Sequence, residues 1–279
     1  MATQLMQVKL VNSRGETMLL PEGLAVQGYP AQLEVPGVEI EGRHGMIVDR
    51  QLARVKPGSM TISGSIYGLS KDDADRIRDS VVGFAANANP VQIYRHADAD
   101  TFVLGDLVAV DHAYRTGYFE GRLFTLALRF VAADPFRYAA AFICMSFPPP
   151  VSTITVTNNG GVDVAPVVQI TGPATNFALS NRMTGQSIDF NGEVSASELL
   201  MADCEQFQAY KVVATGGNVL GFLQPAQVSY TGFPKANVIG EMGSSWLFKG
   251  FSLMPGINVI TVSGGAEMGV QFSFRERWL

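Results

Sequence analysis

Residues 121–138 read GRLFTLALRFVAADPFRY, and this stretch decides how the chain divides. Phe124, Leu126, Leu128 and Phe130 recur at every second position, with Thr125 and Arg129 between them. A period of two is that of a β-strand with one strongly apolar face. Asp134-Pro135 is expected to stop the strand, because proline has no amide hydrogen for a continuing ladder. A short apolar run and Phe147-Pro148-Pro149-Pro150 follow, and the sequence then changes character. The expected organisation is a first domain over 1–138, a stiff linker over 139–152 and a second domain over 153–279.

Upstream of that stretch, strands are predicted over 4–11, 17–20, 59–67, 91–94 and 101–110, and the decisive strand itself over 118–131. One helix stands out. Ser70 suits its N-cap, Asp72 and Asp73 suit the positive end of its dipole, and Ala74, Ile77, Val81 and Phe84 form one apolar stripe. This helix is expected to cover one face of the first-domain sheet. Between the strands lies a looser region: 32–40 alternates but is broken at Pro36-Gly37, as an edge strand or bent arm would be, and Gly42-Arg43-His44-Gly45 is a glycine-flanked turn.

Downstream, short strands bounded by turn residues are expected over 153–157, 166–171, 186–190, 198–201, 207–213, 246–253, 258–262 and 271–274, with no helical stripe among them. That pattern predicts an antiparallel β-sandwich. The fold class is therefore mainly β: a β-rich first domain with one α-helix, followed by a sandwich.

Composition narrows the function. Only 16% of residues are charged and 47% are hydrophobic, against about 25% charged in an average globular chain. So thin a charged coat predicts extensive protein–protein contact, as in a subunit of an assembly. Residues 1–150 carry 14 Lys and Arg against 16 Asp and Glu, which argues against a sequence-specific nucleic-acid surface. No apolar run reaches the ~20 residues that span a bilayer, so no membrane partner is expected. The opening MATQLMQVKL lacks the pattern of a signal peptide, which predicts a soluble chain made in the cytoplasm. Cys144 and Cys204 are too few for a disulfide framework and are read as reduced thiols.

Tests for chemistry return little. The sequence has no G-x-S-x-G elbow, and neither glycine-rich phosphate motif occurs. His96-Ala97-Asp98-Ala99-Asp100 alternates ligand-type residues but lacks the oxygens and turn glycine of a calcium loop, and is read as a solvated hairpin loop. Asp98, Asp100, Asp106 and Asp111 are read as a wet strand face rather than a glycosidase pair. No catalytic residue, metal or cofactor is expected, and the chain is not read as an enzyme.

Taken together, the ordered motifs resemble the distal tail proteins of long-tailed, non-contractile bacteriophages. The carrying features are the long strand running into Asp134-Pro135-Phe136, the Gly42–Gly45 turn with His44 where the family has an acid, the run PVVQITGPATNFALSNRMT over 166–184 with Gly185, and the turn Leu253-Met254-Pro255-Gly256-Ile257-Asn258. The resemblance spans nearly the whole chain. It implies a first domain that closes into a hexameric ring and a galectin-like sandwich outside it. It also implies contacts with the major tail tube protein, the tail hub or tip protein and the tape measure protein, in a virion tail tip assembled in the host cytoplasm.

Within that implication, residues 33–56 are the candidate ring-interface arm, carried by Leu33, Val35, Val38, Ile40, Arg43, His44, Ile47, Val48, Leu52 and Val55. An arm that pairs with a neighbour's sheet edge supplies one of the two unlike patches a closed ring needs. The competing expectation is a carbohydrate-binding module, in which Trp246 or Tyr230 stacks on host-surface sugars.

Overall fold

A computed structural model describes residues 7–28, 31–34, 37–39, 46–48, 54–86, 90–114, 122–213, 235–265 and 267–279. The architecture is mainly β and divides into two compact units, Met1–Ala140 with Leu279, and Ala141–Trp278.

In the first unit the strands are β1 (Lys9–Val11), β2 (Thr17–Leu19), β3 (Leu24–Gly28), β4 (Ala31–Glu34), β5 (Gly37–Glu39), β6 (Met46–Val48), β7 (Arg54–Pro57) and β8 (Ser59–Tyr67). Helix α1 (Lys71–Ala86) follows, then β9 (Val91–Tyr94), β10 (Thr101–Tyr114) and β11 (Leu123–Ala139). The main sheet runs in the order β2-β1-β9-β10-β11-β8-β3, with antiparallel pairings. The predicted alternation of β11 is what builds the core. Phe124, Leu126, Leu128 and Phe130 are buried with Met60, Ile62 and Ile66 of β8 and with Ala74 and Val81 of α1. Burying each of these larger side chains contributes about 1.5–3 kcal/mol.

The helix begins as its sequence suggests. Ser70 Oγ accepts the Asp73 N–H at 3.1 Å, capping one first-turn amide, and Asp73 Oδ2 accepts the Leu69 N–H at 3.0 Å, tying the entering chain to the helix. On the other side of the sheet, Arg129 pairs with Asp111 at 2.8 Å, but both side chains are more than half exposed. Such a pair adds little stability.

Asp134-Pro135 does not end the strand. β11 continues to Ala139, and the ladder absorbs the proline in an irregularity: Ala132 stands opposite Gly105, yet the next partners are Arg137 and Val103. Pro135 falls inside that excursion, where no ladder amide is required. Asp134 shapes it, accepting the Phe136 N–H at 3.0 Å and the Tyr138 hydroxyl at 2.9 Å. The acid is a turn-maker, as its position before proline suggests.

The second unit comprises β12 (Ile143–Phe147), β13 (Thr153–Asn158), β14 (Val167–Thr171), β15 (Ala174–Asn181), β16 (Ser187–Val194), β17 (Glu198–Asp203), β18 (Gln208–Val213), β19 (Lys235–Asn237), α2 (Ser244–Lys249), β20 (Gly256–Ser263) and β21 (Gly269–Phe274). A six-stranded sheet, β12-β21-β14-β17-β18-β19, faces a four-stranded one, β13-β20-β15-β16, across a shared core that includes Val168, Ile170, Phe177, Leu179, Phe190, Ile260 and Phe272. This is a sandwich.

Two expectations for this half are corrected. Residues 143–147, read as linker, form β12 and pair with β21 from Ile143↔Phe274 to Phe147↔Val270. Residues 246–253, read as a strand, open instead with α2. Trp246 is the one buried residue of that helix, so a short turn with a single inward side chain suffices. Gly250, at φ 68°, closes it as only glycine does cheaply.

Candidate assembly interface

The candidate arm is the outer continuation of the edge hairpin β3–β8. Leu24 stands opposite Gly64 and Gly28 opposite Met60; the same register then carries on with Ala31 opposite Pro57 and Glu34 opposite Arg54. Nearer the tip, Gly37–Glu39 pairs with Met46–Val48 in a register shifted by three residues. The sequence marks the break between core hairpin and arm at Tyr29-Pro30 on one strand and Pro57-Gly58 on the other. Gly28 is needed at that break: its φ is +91°, and a Cβ there would lie 2.5 Å from the Ser59 carbonyl oxygen.

Of the predicted arm residues, Leu33, Val38, Ile47, Val48 and Val55 lie on these four strands, with Leu33 opposite Val55 and Val38 opposite Ile47. Val35, Ile40, Arg43, His44 and Leu52 lie outside the described residues. Among the described residues, the arm strands pair only with each other, in two-stranded ladders. Two-stranded ribbons of this kind are marginal in water on their own.

Trp246 does not match its sugar-binding reading. The ring is wholly buried in the sandwich core, 5.9 Å from the Phe207 ring centre, so it has no face free to stack on a sugar. Beside it lies Cys204, whose thiol burial pushes up to about 12, with the Trp246 N–H partly opposing that shift and Asp203 adding to it. The indole N–H itself reaches no acceptor at hydrogen-bonding geometry, leaving the sulfur as its soft neighbour. Tyr230 lies outside the described residues.

Residues 96–100 form the connection between β9 and β10, and among the described residues no three His, Cys, Asp or Glu side chains converge as metal ligands. Also among the described residues, no helix is long and apolar enough to cross a membrane. The exposed large apolar side chains of the first unit include Leu19, Tyr67, Leu69, Val108 and Val131. Sequence reasoning passed over Leu19, whose signal was an apolar residue on the outward side of a short strand.

No family profile matches the chain, and no curated protein matches it. Solved structures do. The Dit (gp 19.1) protein of phage SPP1, described as a paradigm of the hub adsorption apparatus in phages infecting Gram-positive hosts, superposes with a TM-score of 0.66 at 12% identity, over 98% of this chain and 99% of that one. The chain shares that fold. A chain of the phage P2 baseplate in its activated conformation with Ca matches at TM-score 0.52 and 10% identity over 98% of each. A chain of the phage p2 baseplate with Sr matches at 0.52 and 9% over 97% of each. At such low identity the likeness speaks to the fold, and it runs through both units.

Proposed function

We propose that this chain is a structural subunit of a phage tail tip or baseplate, a ring-forming adaptor without catalytic activity. The observation that carries the reading is the end-to-end fold likeness to a phage Dit protein, covering 98% of the chain in both units. In this reading the first unit closes into a hexameric ring, and a galectin-like second unit stands outside it. One ring face meets the major tail tube protein and the other the hub or tip protein, with the tape measure protein near the lumen. The assembly forms in the host cytoplasm and ends in the virion.

Physical chemistry supports this. A permanent ring contact buries on the order of 2,000 Å² or more, much of it apolar, and a chain with 16% charged residues is suited to such burial. The two-stranded arm offers an element that a neighbour completes. The test is negative-stain imaging of the purified chain with sedimentation velocity alongside. Six-fold rings support the reading; a monomer at every concentration overturns it.

A further inference from the structure

The main sheet ends in two unlike edges. At one end, β3 and β8 carry the arm; at the other lies β2, which among the described residues pairs only with β1. The Leu20 N–H donates to Val8 and the Asn12 N–H to Glu16, and the antiparallel alternation between them turns the N–H and C=O groups of Thr17 and Leu19 away from β1. Beside this edge, a groove of about 320 Å³ runs between β2 and α1, lined by Met18, Leu19, Pro21, Ile77, Ser80 and Val81, with Arg76 at its rim. Met18 is the β2 side chain that faces this groove, and its neighbour Leu19 points to the other face, where it is 51% exposed. On the outward face of the same edge, Lys9 stands directly across from Leu19, on the same side of the sheet, and holds its ammonium 3.9 Å from the Tyr94 ring centre.

We propose that the β2 edge and its groove accept β5, Gly37–Glu39, from the arm of a second copy of this chain. The inference rests on the ring reading above and names where the arm lands. A third strand requires a free ladder edge, an apolar slot on one face and a compatible charge on the other. The β5 sequence alternates to match: Val38 faces the groove side when Glu39 faces the Lys9 side, where carboxylate and ammonium are opposite charges. The topology agrees, because donor and acceptor lie at opposite ends of one sheet, the head-to-tail arrangement that closes a ring.

The experiment uses the full chain in a Cys144→Ser background, since Cys144 is exposed and Cys204 buried. One protein carries Leu19→Cys, a second Glu39→Cys, and a control carries Gln27→Cys on the other edge strand; mixtures are oxidised mildly and run unreduced. Linked dimers with Leu19→Cys and none with Gln27→Cys are expected, because cross-strand neighbours on one face come within disulfide reach. Independently, Leu19→Glu on the edge, which sets a like charge beside Glu39, and Ser80→Trp in the groove each raise the concentration for half-assembly by about tenfold or more, with unchanged melting of the single subunit. Rings that form without Leu19–Glu39 linkage and are indifferent to both substitutions overturn the docking site while leaving the ring reading intact. A chain that never assembles overturns both.

Discussion

Asn181 Nδ2 donates to Asn258 Oδ1 at 3.1 Å inside the sandwich, joining the two sequence runs whose turn patterns carried the resemblance. Asn258 closes its own turn, accepting the Met254 N–H at 3.0 Å and donating to the Met254 carbonyl at 2.8 Å, while Asn181 also donates to Ser252 O at 2.9 Å. Asn158 adds a third buried carboxamide, donating to Leu253 O at 3.0 Å. Turn chemistry with no reactive group is thus a set of buried caps that hold one end of the sandwich.

Asn258→Ala strands the Met254 amide and carbonyl and removes the acceptor of Asn181. Buried groups left without partners cost about 1–3 kcal/mol each, partly relieved by water. The substitution is expected to lower stability by about 2–4 kcal/mol. It should appear as a lower urea midpoint with an unchanged slope and an unchanged far-ultraviolet circular dichroism spectrum below the transition.

The two thiols should separate cleanly. Cys144 is exposed and Cys204 buried, with its folded-state ionisation pushed up to about 12 from an ordinary value near 9. A thiol-reactive dye at pH 8 should label one cysteine quickly and the second only on unfolding. Because the folded value is raised, the stability tied to Cys204 is fully present below about pH 9 and is lost as pH climbs toward 12. Denaturation midpoints across pH 8–11 for the parent and Cys204→Ala check the sign: the parent should lose stability faster in that window.

Gly28 ties arm to sheet. Any side chain there must take φ +91° and meet the Ser59 carbonyl at 2.5 Å. Gly28→Ala is expected to cost about 1–3 kcal/mol through strain and backbone displacement. A matched control, Gly15→Ala, shares a positive φ but meets nothing within 4 Å. If the arm acts in assembly, Gly28→Ala should weaken it beyond the loss of stability, whereas Gly15→Ala should not; sedimentation and thermal melting measured together separate the two.

Much of this molecule was legible from side-chain periodicity. The core of β11 follows from Phe124, Leu126, Leu128 and Phe130, and α1 from its stripe and its Ser70 cap, because each element buries one regular face. What the sequence hid were features decided by tertiary context. Pro135 reads as a stop, yet a long strand with an irregular ladder absorbs it. Trp246 sits in an apolar run that suits a strand, but one buried ring anchors a short helix. The single register shared by core hairpin and arm is invisible in composition, because pairing across residues 24–64 depends on which strand lies opposite.

That shared register makes the arm separable from the sheet it grows from. β3 and β8 pair with one another before the arm begins, and β8 pairs with β11 from Tyr67↔Leu123 to Ser59↔Val131, so the core strands keep their partners without it. Deleting residues 35–55 and joining the flanks with a short glycine-containing turn is therefore expected to leave a cooperatively folded chain. It should melt within a few degrees of the parent, since a two-stranded ribbon contributes little stability alone. Assembly should be lost: the deleted chain is expected to sediment as a monomer at concentrations where the parent forms rings. An intact ring after the deletion would remove the arm from the interface, and a misfolded monomer would show that residues 35–55 belong to the core of the first unit.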